Sequence, residues 1–314
     1  MDAFSSSNSG LSRDLVMEFT VHGESQEELT SSAIDWLTQG VAKAITAGRV
    51  ERPQKGLPVS DAGFNSVMEV VNARKGEWWG YYSVSPQDTF EVLYNPYVDE
   101  STSWAKREIR QRPESMAVKI GKFSEDGEIA NPALRFSVSF DEDLTDYVKL
   151  TYCIDDALLS GSETMQIEHA RLLSLANWAC RHCNVVFGHF SYDHSGGVTE
   201  LERYLRPPSG IPWRNTPLWR EKLRGYSWLM VASGEILHKI GGVGALRESG
   251  AFQSVSPLPN GAVLLQVTSS FREYRDEKVR AVHRILQDVL VKGEFRRPAL
   301  VPGQPPTHMV IFDG

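Results

Sequence analysis

The stretch from residue 133 to residue 153, ALRFSVSFDEDLTDYVKLTYC, contains two runs in which apolar and polar residues alternate. The apolar members are Leu134, Phe136, Val138 and Phe140 in the first run and Val148, Leu150 and Tyr152 in the second. A period of two is typical of a strand with one buried face. The acidic segment between the runs is too polar to be buried. The stretch therefore predicts a β-hairpin, and with it an antiparallel pair of strands.

The flanking sequence extends this pattern in both directions. Residues 15–21 alternate in the same way, and Ser25 and Glu28 then have the spacing of a helix capping box. A long helix is expected at about 163–183, followed by a strand in NVVFGHFSY, and Asn260-Gly261 is a typical hairpin turn. Hairpins outnumber β-α-β crossovers. We therefore expect an α+β fold of largely antiparallel sheets with helices packed on one face, an arrangement that allows two similarly built halves.

Composition and pattern divide the sequence into four segments. Residues 1–13, rich in Ser, Asn and Gly, are expected to form a disordered tail. Two α+β regions follow, 14–130 and 131–293. The Pro-rich tail 294–314 ends in an apolar stretch that could dock as an edge strand.

The bulk properties narrow the classes of function. The 314 residues are 41% hydrophobic and 23% charged, as in an ordinary globular protein. A net charge of -7 argues against nucleic acid held by a general positive field and favours a basic protein partner. Three cysteines favour a reducing compartment, and neither a secretory signal nor a membrane span is visible. The expectation is a soluble cytoplasmic protein.

The segment 180–194, CRHCNVVFGHFSYDH, allows two interpretations. Cys180, Cys183, His189 and His194 are the residue types that zinc prefers, so a zinc-stabilised scaffold is one hypothesis. Both cysteines also continue an apolar helical stripe, which would place them in the core instead. The residues in that stripe are Leu172, Leu175, Ala176, Ala179, Cys180 and Cys183.

The long Pro-rich loop 193–222 is the best candidate for an enzyme or small-ligand site, because long loops in compact proteins are often functional. His189, Asp193, His194 and Arg224 would serve such a site. The sequence contains no phosphate-loop or dinucleotide-binding spacing, since IGGVGALRESG follows a helix and lacks the required lysine. No cofactor and no coherent catalytic set is predicted.

Two aromatic clusters suggest binding surfaces. Strand alternation can bury only half of each cluster on one face, which leaves some rings available to a partner. The candidates for partner binding are Trp78, Trp79, Tyr82, Trp213 and Trp219.

Residues 223–252, LRGYSWLMVASGEILHKIGGVGALRESGAF, resemble uncharacterised actinobacterial proteins. More distantly, they resemble a bacterial family of immunity-type proteins encoded beside polymorphic nuclease toxins of secretion systems. The resemblance is carried by GYSW at 225–228, by Gly241-Gly242 after a short helix, and by FGHFSYD in the preceding strand. It covers the second half of the chain. It implies an α+β fold and a function exerted by binding a toxin, with no catalytic residues to transfer.

These observations favour a protein-binding protein of immunity or antitoxin type, with a protein partner that the resemblance suggests is a toxin. The alternatives are an enzyme or small-ligand binder with its site under the 193–222 loop, and a zinc-stabilised scaffold.

Overall fold

In the computed structural model, the described residues are 13–47, 76–122, 129, 134–159, 162–194, 196–296 and 308–310. Their strands form one ten-stranded sheet in the order β3-β2-β4-β5-β6-β1-β7-β8-β10-β9, and every neighbouring pair is antiparallel. The strands are β1 (Asp14–His22), β2 (Trp78–Ser85), β3 (Leu93–Pro96), β4 (Ser115–Lys122), β5 (Leu134–Ser139), β6 (Tyr147–Asp155), β7 (Val185–Tyr192), β8 (Leu229–Ala232), β9 (Ser254–Pro257) and β10 (Val263–Gln266).

The predicted hairpin is present as β5 and β6, with Phe136 opposite Tyr152. The second predicted hairpin joins β9 to β10, and Gly261 in its turn has the positive φ of 83° that glycine tolerates. β1 lies in the middle of the sheet, between β6 and β7. Strands from 14–130 and from 131–293 therefore belong to one continuous sheet.

Helices lie on both faces of this sheet, and not on one face as the sequence predicted. The helical elements are α1 (Gln26–Asp35), a π-helical turn (Trp36–Gly40), α2 (Val41–Ala47), α3 (Thr102–Arg110), α4 (Ser162–His182), α5 (Glu200–Arg203), α6 (Pro212–Asn215), α7 (Gly234–Lys239), α8 (Gly242–Glu248) and α9 (Glu277–Leu286). Ser25 caps α1, as its spacing predicts, by accepting a hydrogen bond from the backbone N–H of Glu28.

The core between α1, α4 and the sheet is centred on Trp36. Its ring packs against Phe19, Phe136 and Trp178, and its indole N–H donates to the carbonyl of Thr151 at 3.2 Å. A buried indole needs such a partner, because an unpaired N–H inside the core is costly. The alternation in β1 directs Leu15, Met17 and Phe19 toward this side.

The same alternation directs polar residues toward the opposite face. Glu18 of β1 is paired in register with Thr151 of β6 and with His189 of β7. Over β7 and β8 this face is covered by the segment 196–228, which includes α5 and α6. Over β4, β5 and β6 it opens into a cleft.

The structure agrees with the expected α+β class and with a large antiparallel sheet, and it does not establish two similarly built halves. The predicted N-terminal tail lies outside the described residues except for Arg13, and of the tail 294–314 only 294–296 and 308–310 are described. Among the described helices, none combines the length and apolar character needed to cross a membrane.

Candidate functional site

A cleft of about 910 Å³ lies on the open face of the sheet. Its floor consists of small and polar side chains from four adjacent strands. They are Val16, Glu18 and Thr20 of β1, Lys149, Thr151 and Cys153 of β6, Ser137 and Ser139 of β5, and Ser115 of β4. His189 of β7 and the backbone of Gly196 and Gly197 bound the cleft at one end.

Carboxylates dominate the charge of this cleft. Its described lining contains six of them against a single lysine, Lys149. The six are Glu18, Glu114, Asp141, Glu142, Asp143 and Asp193. The loop 141–143 follows β5 directly, so the turn of the predicted hairpin supplies half of this negative charge.

A buried ion network lies beneath the Gly196–Gly197 end. The Arg224 side chain is 2% exposed. Its Nε donates to Glu202 Oε1 at 2.9 Å and its Nη2 to Glu202 Oε2 at 3.0 Å, while its Nη1 lies 3.6 Å from Glu18 Oε1. Burial alone would raise the pKa of Glu202, but the charge and hydrogen bonds of Arg224 reverse that effect and lower it. These contacts connect the segment 196–228, which covers β7 and β8, to the central strand β1.

The helix cap at the start of α5 determines the position of Glu202. Thr199 caps α5, accepting from the N–H of Glu202 at 3.2 Å, while Glu202 Oε2 accepts from the N–H of Thr199 at 2.9 Å. This reciprocal pair is a capping box. Glu202 also accepts hydrogen bonds from Arg224 and from the amide of Asn215. One carboxylate therefore takes part in the cap of α5 and connects the segment 196–228 to the sheet through Arg224.

His189 lies beside this network on the cleft side. Its Nε2 is 3.9 Å from Glu18 Oε1, and its Nδ1 is 3.1 Å from Ser191 Oγ. Burial lowers the pKa of His189, with the nearby Glu18 opposing the effect. The imidazole is therefore neutral at physiological pH, where it can donate or accept one hydrogen bond at Nε2.

Several buried polar atoms here have no hydrogen-bond partner within the described part of the chain. They are Glu18 Oε1, Thr20 Oγ1, His189 Nε2 and Arg224 Nη1. Three of the four belong to side chains that line the cleft. Glu18 Oε1 lies 3.9 Å from His189 Nε2 and 3.6 Å from Arg224 Nη1, so these three atoms contact one another just beyond hydrogen-bond distance. Nearly all buried polar groups in proteins are hydrogen-bonded, so Thr20 Oγ1 is the atom of the four that points to a group from outside the chain.

The other residues considered for this site lie at its edge. Asp193 lines the cleft. His194 is instead hydrogen-bonded through Nδ1 to Arg203 at 3.1 Å, and burial together with the Arg203 charge lowers its pKa to about 4. The structure thus brings His189 and Arg224 together around Glu18, places Asp193 elsewhere on the cleft lining, and directs His194 toward Arg203.

The four proposed zinc ligands are not brought together. Cys180 and Cys183 are buried in the helix-covered core, where burial raises the pKa of both thiols, that of Cys183 to about 11. His189 lies on the other face of the sheet. Among the described residues no group of three or more His, Cys, Asp or Glu side chains could hold a metal ion.

The aromatic candidates are divided between core and surface. Trp79 and Tyr82 are buried in the core and present no free ring to a partner. Trp78 and Trp219 are half-buried and lie under the cationic groups of Lys122 and Arg220, at 5.3 and 4.4 Å from the ring centres. Trp213 on α6 is 52% exposed.

Sequence reasoning missed Glu18, Thr20 and Glu202, and it treated Asp141, Glu142 and Asp143 as solvated loop charges. Two signals were available. Glu18 is a charged residue within the otherwise apolar run LVMEF at 15–19, and Thr199 and Glu202 have capping-box spacing.

The fold and cleft define an α+β protein with one open, acidic face on a continuous antiparallel sheet. No protein-family model matches the chain, and no curated protein matches it by sequence. A solved structure of the Pseudomonas aeruginosa T6SS protein PA0821 is similar, with a TM-score of 0.52 at 10% identity, over 89% of this chain and 74% of that chain. At this identity the likeness shows the fold alone.

Proposed function

We propose that the protein acts by binding another protein, as an immunity-type protein does, and that the open face of the sheet is its binding surface. The observation that carries the proposal is the acidic cleft, whose floor contains the buried hydroxyl of Thr20 without a hydrogen-bond partner among the described residues. A protein surface supplies hydrogen-bonding groups and opposite charge together, which is what such a floor and rim require.

Two further observations support this role. The similar fold belongs to a T6SS protein, and residues 223–252 resemble an immunity-type family. An immunity protein neutralises a toxin by occupying it and needs no catalytic groups of its own. On this proposal the protein would meet its toxin in the cytoplasm of the cell that it protects.

The direct test is binding between the purified chain and each protein encoded beside its gene, measured by calorimetry and by the mass of the complex in solution. We expect a complex with one of these proteins. We also expect Ser137→Lys, which places a long charged side chain on the cleft floor, to abolish it. Gln253→Lys makes the same charge change at an exposed position outside the cleft and should leave binding intact.

The proposal is wrong if none of these proteins binds, or if Ser137→Lys binds as the wild type does. The second result would leave a protein-binding role but move it to another surface.

A small-ligand role under the 193–222 loop is the second candidate, favoured by His189 and Asp193 at the covered end of the cleft. A panel of small polar molecules should then raise the melting temperature of the wild type. This stabilisation should be absent in His189→Ala and retained in His238→Ala, which removes an exposed histidine on α7. Equal stabilisation of both variants would exclude a site at His189.

A further inference from the structure

The distribution of charge within the cleft specifies the chemistry of its occupant. At the covered end, the Glu18 carboxylate already faces cations. Arg224 Nη1 is 3.6 Å away, and Lys149 Nζ lies close to Gly197, beside Glu18. A Cβ built on Gly197 would be 2.7 Å from Lys149 Nζ and 3.2 Å from Glu18 Oε2, so these two groups are near neighbours. Negative charge is thus balanced at this end.

At the opposite end the carboxylates outnumber the nearby cation Arg112, whose guanidinium lies 4.7 Å from the centre of the Phe140 ring. Glu114, Glu142 and Asp143 are exposed at the rim, and no ion pair within the described ranges involves them. Asp141 is held by the turn, where its Oδ1 accepts from the N–H of Asp143 at 2.9 Å. The loop therefore presents its negative charge in a fixed place.

The shape of the cleft favours a chain segment over a small cation. Its lining extends from Ser115 on β4 to His189 on β7, across five adjacent strands. At a spacing of ~4.8 Å between strands this distance is roughly 19 Å, which about six extended residues cover at ~3.3 Å each. Along such a segment every second side chain points to the floor.

From charge and shape together we infer that the cleft binds an extended, basic segment of the partner protein. An arginine or lysine of the segment pairs with Glu114, Glu142 and Asp143 at the rim, and its polar groups bond Thr20 and His189 on the floor. Thr20 supplies the independent evidence for an occupant, because this residue lines the cleft and is 1% exposed, and its hydroxyl has no hydrogen-bond partner among the described residues. This inference rests on the proposed function, since a partner protein supplies the segment.

The test uses a fluorescent peptide of about eight residues, long enough to span the cleft, with arginine at alternate positions and serine between them. Its twin carries glutamate in place of arginine. Binding is measured by anisotropy at ~0.1 M salt, where charges separated by more than about 10 Å are largely screened. We expect the arginine peptide to bind and the glutamate peptide not to bind.

A matched pair of variants separates the rim from the general field of an acidic protein. The rim variant is Glu114→Gln with Glu142→Gln and Asp143→Asn. The control is Glu27→Gln with Glu221→Gln and Glu248→Gln, which removes three exposed carboxylates outside the cleft. Three surface charges at about 0.5 kcal/mol each correspond to roughly a tenfold loss of affinity in the rim variant. The control should remain within about twofold of the wild type.

An equal loss in both variants, or no preference for the arginine peptide, overturns the inference. So does spermidine displacing the peptide as well as unlabelled peptide does, because a small cation would then suffice. Binding of the natural partner at unchanged affinity by the rim variant would refute the basic segment and leave the proposed function standing. Binding of the peptide, together with no binding of any protein encoded beside the gene, would support recognition of a basic segment and refute the proposed function.

Discussion

Arg171 and Arg224 are buried to nearly the same degree, at 3% and 2% exposure, on opposite faces of one sheet. Arg171, on α4, donates to the carbonyl of Ala44 and to the hydroxyl of Tyr152, and it pairs with Glu168. Within the described part of the chain, none of these side chains has a buried polar atom without a hydrogen-bond partner. We call this network closed, because each buried polar side-chain atom in it has a hydrogen-bond partner among the described residues.

The network around Arg224 is open on one side. Glu202 satisfies Nε and Nη2, but Nη1 and His189 Nε2 approach Glu18 Oε1 only to 3.6 and 3.9 Å, beyond hydrogen-bond distance, and Glu18 and His189 line the neighbouring cleft. Both networks hold secondary structure to the sheet. Only the one around Arg224 also contributes to a surface that another molecule can reach, and the following predictions test that difference.

The largest effect is expected from removing the cation of either network. Arg224→Met leaves Glu202 as a buried, unpaired charge, and breaking a buried ion pair in this way costs about 3–5 kcal/mol. Arg171→Met should cost a similar amount by exposing Glu168 to the same penalty. Urea unfolding followed by tryptophan fluorescence measures both.

Arg220→Met is the matched control for these two variants. Arg220 pairs with Glu235 at 3.2 Å, but its side chain is 62% exposed. Exposed pairs contribute ~0–1 kcal/mol, so this variant should unfold almost as the wild type does. If Arg224→Met were as stable as Arg220→Met, the covering segment would be held by other contacts. If the methionine variant does not fold, urea unfolding of Arg224→Lys, which retains the charge, is measured in its place.

Another buried carboxylate, Glu200, has no guanidinium within ion-pair distance among the described residues and should respond to pH. Its Oε1 accepts from the N–H of His308 at 2.7 Å, and burial raises its pKa from 4.5 to about 7, against the opposing effects of that hydrogen bond and of Arg203. A raised pKa means that the folded state binds the proton more tightly. The contribution of Glu200 to stability is therefore complete below about pH 4.5 and is lost as pH rises through about 7.

Glu200→Gln removes this dependence while keeping an acceptor for His308. The shift corresponds to about 3 kcal/mol, so the variant should be more stable than the wild type by up to that amount at pH 8 and by less than about 1 kcal/mol at pH 5. Thermal unfolding at the two pH values measures the difference. An equal change in stability at both would show that Glu200 does not titrate in this range.

The two glycines at the covered end of the cleft form a natural pair for a smaller effect. Gly196 and Gly197 have φ of 64° and 66°, so alanine at either position should cost about 1 kcal/mol through backbone strain. Their surroundings differ. A Cβ at Gly196 meets only Val198 at 4.0 Å, whereas one at Gly197 would press on Lys149 Nζ at 2.7 Å.

Gly197→Ala should therefore displace Lys149 and alter the charge at the cleft floor, with a loss of stability only slightly larger than that of Gly196→Ala. Urea unfolding gives the two stabilities, and arginine-peptide affinity reports the cleft. The affinity should change in Gly197→Ala alone. Equal affinities would mean that Lys149 moves aside without affecting the cleft.

Local pattern predicted the parts of this molecule that neighbouring residues determine. The β5–β6 hairpin, the β9–β10 hairpin and α4 follow from alternation, turn residues and helical periodicity. The site could not be predicted in this way. Glu18 meets His189 through a strand pairing of residues far apart in the chain, and Arg224 meets Glu202 across a segment whose path only tertiary packing determines. His189, Asp193 and Arg224 were predicted because they lie near the 193–222 loop in the sequence. Their position in the sequence gives no information on the residues that they contact in the fold.

The smallest effect, and the most direct test of the open network, is expected at Thr20. Thr20→Val replaces the unpaired Oγ1 with a methyl group of the same shape, so it removes the cost of a buried hydroxyl without creating a cavity. We expect a gain of about 0.5–1 kcal/mol in urea unfolding, together with weaker binding of the arginine peptide. Thr216→Val is the control, because its hydroxyl donates to the carbonyl of Pro212 at 2.9 Å and its removal should lower stability. A loss of stability in Thr20→Val would show that its hydroxyl is already bonded in the free protein. The floor of the cleft would then be as closed as the network around Arg171.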